Sequence, residues 1–181
     1  MKPHFYDVDD LWDAGQITKY LVPLRRANTN FQITCYAIPA KLGPVHLLRQ
    51  AFPWITFAQH GWEHTPFECT AWTKDRAKDY IYRARKMGYS NLFKPPNWRY
   101  DDELVQAALE LDVPLALHID DPIKVNGLKV LNRYEGVTWA HTHIVKNPAT
   151  DFIADHLLFQ PDYLVKVEEF LSPWEMLNGR R

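Results

Sequence analysis

Short apolar segments rich in β-branched and aromatic residues alternate along this chain with segments of helical periodicity. Short runs of this kind, bounded by Pro, Gly or acidic residues, are typical of buried strands. Alternation of strands with helices favours βα units that build a mainly parallel sheet or barrel. The predicted strands are His4–Val8, Phe31–Ile38, Trp54–Ala58, Asn91–Lys94, Leu115–Ile119, Val137–His143 and Leu164–Glu168.

Helical periodicity is clearest after Thr73, where apolar residues recur at helical spacing until Gly88 supplies a C-terminal cap. Further helices are predicted between these strands, with Asp101 or Asp102 as the N-cap of one of them. The predicted helices cover residues 11–24, 73–87, 104–111 and 151–159, and a terminal helix surrounds Trp174.

Asn126-Gly127 is a dipeptide typical of two-residue hairpin turns, and it is flanked by Ile123-Lys124-Val125 and Leu128-Lys129-Val130. It predicts a β-hairpin outside the main sheet. His118 lies alone on the apolar fifth strand and is expected in the core. At 181 residues, without an internal repeat or a linker, the chain is expected to form a single α/β domain over residues 1–181.

Composition excludes several classes of function. A formal net charge of -1 provides no field that attracts a phosphate backbone, so we expect no nucleic-acid partner. The N-terminus lacks the apolar run of a signal peptide, and no segment is long and apolar enough to span a membrane. Two cysteines without metal-ligand spacing suit reduced thiols. We therefore expect a cytoplasmic protein, and nothing in the composition indicates its oligomeric state.

Side chains suited to catalysis follow the ends of the predicted strands. Asp9 and Asp10 follow the first strand, His60 and His64 follow the third, and Lys94 ends the fourth. In parallel βα architectures the loops beyond the carboxyl ends of the strands meet at one edge, where active sites are built. We therefore expect these residues to converge.

Two histidines four residues apart, His60 and His64, predict a metal site. On a helical turn this spacing would bring both imidazoles to one side, within reach of the same ion. Asp10 is the expected third ligand, because its anionic oxygen completes an Asp-His-His set, with Asp9 or Asp7 as the alternatives. The hypothesis is a site for Zn²⁺ or another divalent transition metal.

Acid and base groups can be assigned around this site. Asp7, Asp9 and Asp10 crowd three carboxylates into four positions, which favours a nearby cation over a simple acidic loop or helix cap. Asp9 is expected to take the proton of the attacking water. His141 and His143 share one face of a predicted strand, and one of them is expected to protonate the leaving group. A further metal ligand and a plain hydrogen-bonded pair are the alternatives for these histidines.

These residues resemble, in order and spacing, the polysaccharide deacetylases, carbohydrate esterase family 4, whose catalytic unit is the NodB homology domain. Val8-Asp9-Asp10-Leu11 is similar to the family's Phe-Asp-Asp-Gly motif, and His60-Gly61-Trp62-Glu63-His64 is similar to its His-Ser/Thr-x-x-His motif. Phe93-Lys94-Pro95-Pro96-Asn97-Trp98 resembles its Phe-Arg-Pro-Pro segment. Trp139-Ala140-His141-Thr142-His143 lies where the family carries its Leu-x-His motif with the catalytic acid.

The resemblance implies a single-domain distorted (β/α) barrel of the polysaccharide deacetylase type. It also implies removal of an acetyl group from an N-acetylated amino sugar or glycan, usually with Zn²⁺. The segment similar to Phe-Arg-Pro-Pro forms one wall of the groove in that family. Lys94, Pro96, Trp98 and Trp62 are therefore expected to bind the substrate.

Three positions depart from the family's motifs: Leu11 replaces Gly, Gly61 replaces Ser or Thr, and Lys94 replaces an Arg whose planar fork can hold a carboxylate at two points. The Asp-x-x-Asp-Trp motif is missing, and Asp120 or Asp121 are the candidate substitutes. Two alternative functions follow. The same barrel can open cyclic amides instead of cleaving acetyl groups, or the chain can be a sugar-binding relative that has lost the chemistry.

Overall fold

The computed structural model describes residues 4–118, 121, 123, 125–131 and 138–143, and for residues 4–6 and 138–143 it describes the backbone alone. The described strands form one parallel sheet in the order β6-β5-β4-β3-β2-β1-β7. The predicted α/β architecture is thereby confirmed. The strands are β1 (His4–Leu11), β2 (Ile33–Ala37), β3 (Ile55–His60), β4 (Phe93–Lys94), β5 (Leu115–Ala116), β6 (Val130–Leu131) and β7 (Thr138–His143).

The central strands are covered on both faces. Every residue of β2 is buried, and Thr56 is the one residue of β3 that is partly exposed. Burial on both faces is what parallel sheets require, because their crossover helices cover them, and β-branched and aromatic side chains fit such a surface. β2 and β3 therefore form the buried centre of the sheet, and β1 continues it toward β7.

Helices follow most of the strands, and some of them begin at side-chain N-caps, of which the sequence predicts the one at Asp101. The Thr73 side chain accepts a hydrogen bond from the Arg76 N–H, and the Asp101 side chain accepts one from the Leu104 N–H. The helices are α1 (Ala14–Gln16), α2 (Val22–Ala27), α3 (Pro39–Leu42), α4 (His46–Ala51), α5 (Lys74–Lys86) and α6 (Asp102–Glu110). A π-helical segment (Ile17–Leu21) joins α1 to α2, and 3₁₀ turns cover Glu68–Thr70 and Pro96–Trp98.

Helices α5 and α6 confirm the two strongest helix predictions. The buried face of α5 carries Ala77, Ile81 and Ala84, and Gly88 follows the helix with a φ of 94°. On the outer side the Lys74 and Lys78 ammonium groups bind the Glu110 carboxylate at 2.7 and 2.6 Å, which links the two helices. The two helices therefore pack against each other.

The predicted β-hairpin around Asn126-Gly127 is wrong, although the turn itself is present. The Leu128 N–H donates to the Val125 carbonyl at 3.1 Å, and of the two central residues Gly127 alone has a positive φ, 84°. Hairpin turns of the I′ type require positive φ at both positions. The chain therefore continues past the turn, and Val130–Leu131 pairs in parallel with β5 as an additional strand of the main sheet.

Two strands extend further than predicted, and both extensions carry candidate site residues. β1 runs to Leu11 and so includes Asp9 and Asp10, while β3 includes His60. The predicted helix over 151–159, the strand Leu164–Glu168 and the helix around Trp174 lie outside the described residues. Within the described part of the chain, no helix has the length and apolar character needed to cross a membrane.

Candidate metal centre

A bulge at the carboxyl end of β1 turns two consecutive carboxylates toward the same side. Pairing with β2 is regular up to Val8 and resumes at Leu11, and Asp10 between them has a φ of 63°. Neighbouring side chains of a regular strand point to opposite faces, so the bulge is what allows both carboxylates to converge. Asp9 Oδ2 and Asp10 Oδ1 each lie 3.7 Å from His60 Nε2.

His60 and His64 meet through a bend in the backbone. His60 is the last residue of β3, and no helix covers residues 61–64. Gly61 and His64 both have a left-handed backbone, with φ of 58° and 64°, which reverses the chain within four residues. The two ring centroids lie 4.8 Å apart. The predicted helical turn is wrong, but the bend brings both rings to the same place.

Asp10, His60 and His64 form a cluster that could hold a metal ion, since their ligand atoms lie within 4.8 Å of one another. Asp10 Oδ1 is 2.9 Å from His64 Nε2 and 3.7 Å from His60 Nε2. Bonds of about 2.0–2.2 Å to one ion place neighbouring N and O ligands roughly 3–3.5 Å apart. The two Asp10 distances bracket this spacing, and one carboxylate with two imidazoles is a donor set that Zn²⁺ accepts. The His64 side chain is 12% exposed and those of Asp10 and His60 are buried, so the cluster opens on the His64 side.

The imidazole of His60 is prepared to act as a ligand. Its Nδ1 lies 3.0 Å from the Lys94 carbonyl, which can only accept a hydrogen bond, so Nδ1 carries the proton and Nε2 keeps its lone pair. Burial lowers the pKa of His60 to about 4, although the charge of Asp9 opposes this shift. His60 is therefore neutral at physiological pH, with Nε2 turned toward Asp10.

Lys94 connects the metal cluster to the neighbouring carboxylates. Its side chain is 1% exposed, and Nζ lies 2.9 Å from both Asp7 Oδ2 and Asp9 Oδ1. The ammonium group also lies 4.2 Å from the ring centroid of Trp98 and 4.5 Å from that of Tyr36. Lys94 thus contacts the candidate metal ligand His60 through its carbonyl and the predicted base Asp9 through its ammonium group.

The buried charges of this cluster favour a divalent cation. Asp7, Asp9 and Asp10 are each at most 2% exposed, and among the described buried residues around them Lys94 carries the single positive charge. Buried carboxylates are stable in the ionised form when cations compensate them. Three negative charges and one positive charge leave two negative charges, which an ion such as Zn²⁺ would neutralise.

Glu68 is a site residue that sequence reasoning missed. Its carboxylate accepts hydrogen bonds from three successive backbone N–H groups, those of Trp62, Glu63 and His64, at 2.9–3.0 Å. A Cβ atom at Gly61 would overlap Glu68 Oε1, so the glycine is required by contact as well as by its positive φ. The replacement of Ser or Thr by Gly61 was the one signal in the sequence, and it acquires meaning only with Glu68 in place.

The predicted groove residues occupy different environments. Trp98 is half-buried, has a φ of 58° and meets the exposed His118 edge-on at 5.6 Å, so the expected burial of His118 is wrong. Pro96 is buried. Trp62 is 8% exposed, and its ring stacks on Tyr80 of α5 at 4.8 Å. Of the four predicted groove residues, Trp98 is therefore the one that is partly exposed, since Lys94 is also buried.

Comparison with solved structures identifies the fold. A family 4 acetyl xylan esterase from Clostridium thermocellum, solved with a cobalt ion, has a TM-score of 0.65 at 16% identity, over 97% of this chain and 90% of its own. A peptidoglycan N-acetylglucosamine deacetylase has a TM-score of 0.59 at 16% identity, over 97% of this chain and 87% of its own. The chain has the fold of the family 4 carbohydrate esterases. The predicted resemblance and the predicted distorted (β/α) barrel are confirmed at the level of the fold.

Catalytically impaired proteins share this esterase fold. A mutant of a family 4 pseudoenzyme from Bacillus anthracis, with restored enzymatic activity, has a TM-score of 0.64 at 13% identity, over 99% of this chain and 69% of its own. No protein-family model and no curated protein matches this sequence. Activity must therefore be argued from the side chains of this chain.

The departures from the family 4 motifs have structural counterparts. Leu11, in place of Gly, is fully buried at the end of β1. Lys94, in place of Arg, reaches two carboxylates with its single ammonium group. Asp121 accepts a hydrogen bond from the Tyr100 hydroxyl at 2.7 Å, and Asp120 lies outside the described residues.

The backbone of β7 brings the two predicted acid residues to the level of the carboxylates. His141 is paired in register with Asp7, and His143 is paired with Asp9. Because β1 and β7 are parallel neighbours, both histidines belong to the same edge of the sheet as the metal cluster. His143 is the one nearer the end of the strand.

Proposed function

We propose that this protein is a metal-dependent hydrolase that removes an acetyl group from an N-acetylated amino sugar or glycan. The single observation that carries the proposal is the Asp10, His60 and His64 cluster, which could hold a metal ion beside a second buried carboxylate, Asp9. Support for the substrate class comes from relatives of the same fold, named as an acetyl xylan esterase and a peptidoglycan N-acetylglucosamine deacetylase.

Asp10, His60 and His64 would hold the ion, with His60 bound through Nε2 because Nδ1 donates to a carbonyl. A divalent cation bound there supplies Lewis acidity, polarising a carbonyl and making water more acidic. Two imidazoles and one carboxylate suit Zn²⁺ and leave coordination positions for water and substrate. Entry is from the His64 side, where the cluster reaches solvent.

Asp9 is the proposed general base. Lys94 Nζ holds Asp9 Oδ1 at 2.9 Å, which orients the carboxylate so that Oδ2 lies on the side of His60. Oδ2 is then the oxygen that accepts the proton of the attacking water. Lys94 acts as a positioning residue here, since its ammonium group touches the base and the aromatic rings around it.

His143 is the proposed acid that protonates the leaving amine. The support is its backbone register, level with Asp9 and one residue pair nearer the strand end than His141. His143→Ala should lower kcat by about 10²–10⁴-fold without changing the metal content. His141→Ala is the matched variant. A large loss of kcat in His141→Ala and a small loss in His143→Ala would assign the acid to His141 instead.

Metal analysis combined with an acetate-release assay tests the proposal. The wild type should bind one equivalent of Zn²⁺ and release acetate from N-acetylglucosamine oligomers, with acetylated xylan as the comparison substrate. Asp10→Ala should lose the metal, whereas Asp9→Asn should retain the metal and lose turnover. A wild type that binds no added Zn²⁺ would refute the metal site.

A sugar-binding relative without turnover is the second candidate function. The family 4 pseudoenzyme among the proteins of similar fold supports it, together with the partly exposed side chain of Trp98. This alternative predicts saccharide affinity but no acetate release at any Zn²⁺ concentration. Measuring both quantities on one Zn²⁺-loaded sample separates the two functions.

A further inference from the structure

We infer that Glu68 is the positioning residue of this metal centre: its carboxylate holds the loop that presents His64, and Gly61 leaves the space for that carboxylate. The inference rests on the metal site proposed above. Glu68 begins the 3₁₀ turn Glu68–Thr70 and is 8% exposed, so its charged group lies inside the fold.

Three consecutive N–H groups converge on the Glu68 carboxylate. Oε1 accepts from Trp62 and His64 at 3.0 Å each, and Oε2 accepts from Glu63 at 2.9 Å. Successive N–H groups aimed at one point form a concave anion site, and here the chain's own carboxylate fills it. Because these residues link His60 to His64, the carboxylate determines how far apart the two imidazoles lie.

The loop is held in a conformation that it would not adopt alone. His64 has a φ of 64°, which is unfavourable for a residue with a Cβ atom and persists only where the surroundings hold it. Its N–H is one of the three bound by Glu68. Without this acceptor the backbone at His64 is free to return to ordinary φ values, and that rotation would move the imidazole away from Asp10.

Gly61 and Glu68 depend on each other. A Cβ atom at position 61 would overlap Glu68 Oε1 and would lie 2.6 Å from Pro96 Cγ. A side chain at position 61 and a carboxylate at this point are therefore mutually exclusive. Substitutions at the two positions should not be additive, because removal of the Glu68 side chain relieves the closest of the contacts that a residue at 61 would make, although the contact with Pro96 stays.

Zn²⁺ affinity of folded variants, measured by calorimetric titration, separates positioning from simple stabilisation. Glu68→Ala should weaken Zn²⁺ binding about 10- to 100-fold, a range typical for groups that orient metal ligands. Glu68→Gln should fall between Glu68→Ala and wild type, because it keeps one acceptor oxygen and turns an amide donor toward the Glu63 N–H. Glu63→Gln removes the same charge from an exposed side chain of the same loop, and should change affinity by less than about twofold.

Two further measurements complete the test. The visible absorption of bound Co²⁺ should change in Glu68→Ala and not in Glu63→Gln, because it reports ligand geometry. Gly61→Ser should weaken Zn²⁺ binding strongly in the wild type and less in the Glu68→Ala background, where the hydroxyl finds vacant space. Equal effects of Gly61→Ser in both backgrounds would overturn the coupling of the two residues.

The possible results distinguish this inference from the proposed function. A wild type that binds no Zn²⁺ overturns both. If the wild type binds Zn²⁺ and Glu68→Ala binds it equally tightly with a lowered melting temperature, Glu68 only stabilises the fold and the inference fails. Should Glu68→Ala not fold, Glu68→Gln decides by the same criterion.

Discussion

Replacement of Lys94 by Met tests the buried charge network directly. The substitution keeps an unbranched side chain of similar length and removes the ammonium group that lies 2.9 Å from both Asp7 Oδ2 and Asp9 Oδ1. All three side chains are at most 3% exposed, so water cannot replace the lost partner. The variant leaves two buried carboxylates without their lysine.

The expected loss is large compared with the stability of a typical domain. Breaking a buried ion pair by removing one partner costs about 3–5 kcal/mol. For a chain of this length, each kcal/mol corresponds to roughly 2–4 °C in Tm. Lys94→Met should therefore lower the Tm of the metal-free protein by about 6–20 °C at pH 7.

Denaturation of the metal-free variant, followed by circular dichroism in urea and on heating, measures this loss. Lys74→Met is the matched control, because Lys74 makes an exposed ion pair with Glu110 that solvent screens, and little change is expected. Asp7→Asn in the Lys94→Met background should restore part of the stability, since one uncompensated charge is gone. A Lys94→Met loss no larger than that of Lys74→Met would refute the assignment of a buried charge network.

Three further outcomes follow from the structure. Burial lowers the pKa of His60 to about 4, so the unfolded chain binds a proton at this residue before the folded protein does as the pH falls below about 6.5. The free energy of unfolding should therefore fall by about 3 kcal/mol toward pH 4. In chelator, His60→Gln should flatten this pH dependence. Burial raises the pKa of the Cys35 and Cys69 thiols, so a thiol reagent should label neither in the folded protein and both after unfolding in urea. Gly61→Ala should destabilise the protein by several kcal/mol more than Gly127→Ala. Both positions have positive φ, but only a Cβ atom at position 61 would meet other atoms closer than 3 Å. Equal losses of unfolding free energy in urea would contradict this contact.

Backbone conformations that sequence reasoning did not anticipate cluster at the candidate site. Among the described residues other than glycine, positive φ values occur at Asp10, His64, Asn97, Trp98 and Asp112, and the first four belong to the motifs of the metal centre and groove. Such conformations cost about 1–3 kcal/mol each and persist only where the surrounding structure holds them. Asp, Asn and His adopt positive φ more often than other non-glycine residues, but most of them do not, so residue type alone does not show which positions have it.

The strand and helix assignments depended on local information and largely succeeded. α5 begins where the helical periodicity begins, α6 begins at its predicted cap, and the sheet is parallel as the alternation of elements indicates. The hairpin prediction failed because Asn126-Gly127 specifies a turn but does not specify which strand pairs with the segment that follows. That segment pairs with β5, and this pairing depends on the position of β5 in the folded sheet.

The sequence by itself determined which residues carry the candidate chemistry: Asp10, His60 and His64 lie near strand ends, and in a parallel sheet these ends meet at one edge. Only the tertiary structure decided how they meet. Three features bring them together: the bulge in β1, the bend after β3 and the carboxylate of Glu68. They depend on strained backbone or on contacts between separate segments, and neither leaves a periodic signal in the sequence. Residue type and spacing are local properties, whereas the position of a side chain in a site depends on pairing across the whole sheet.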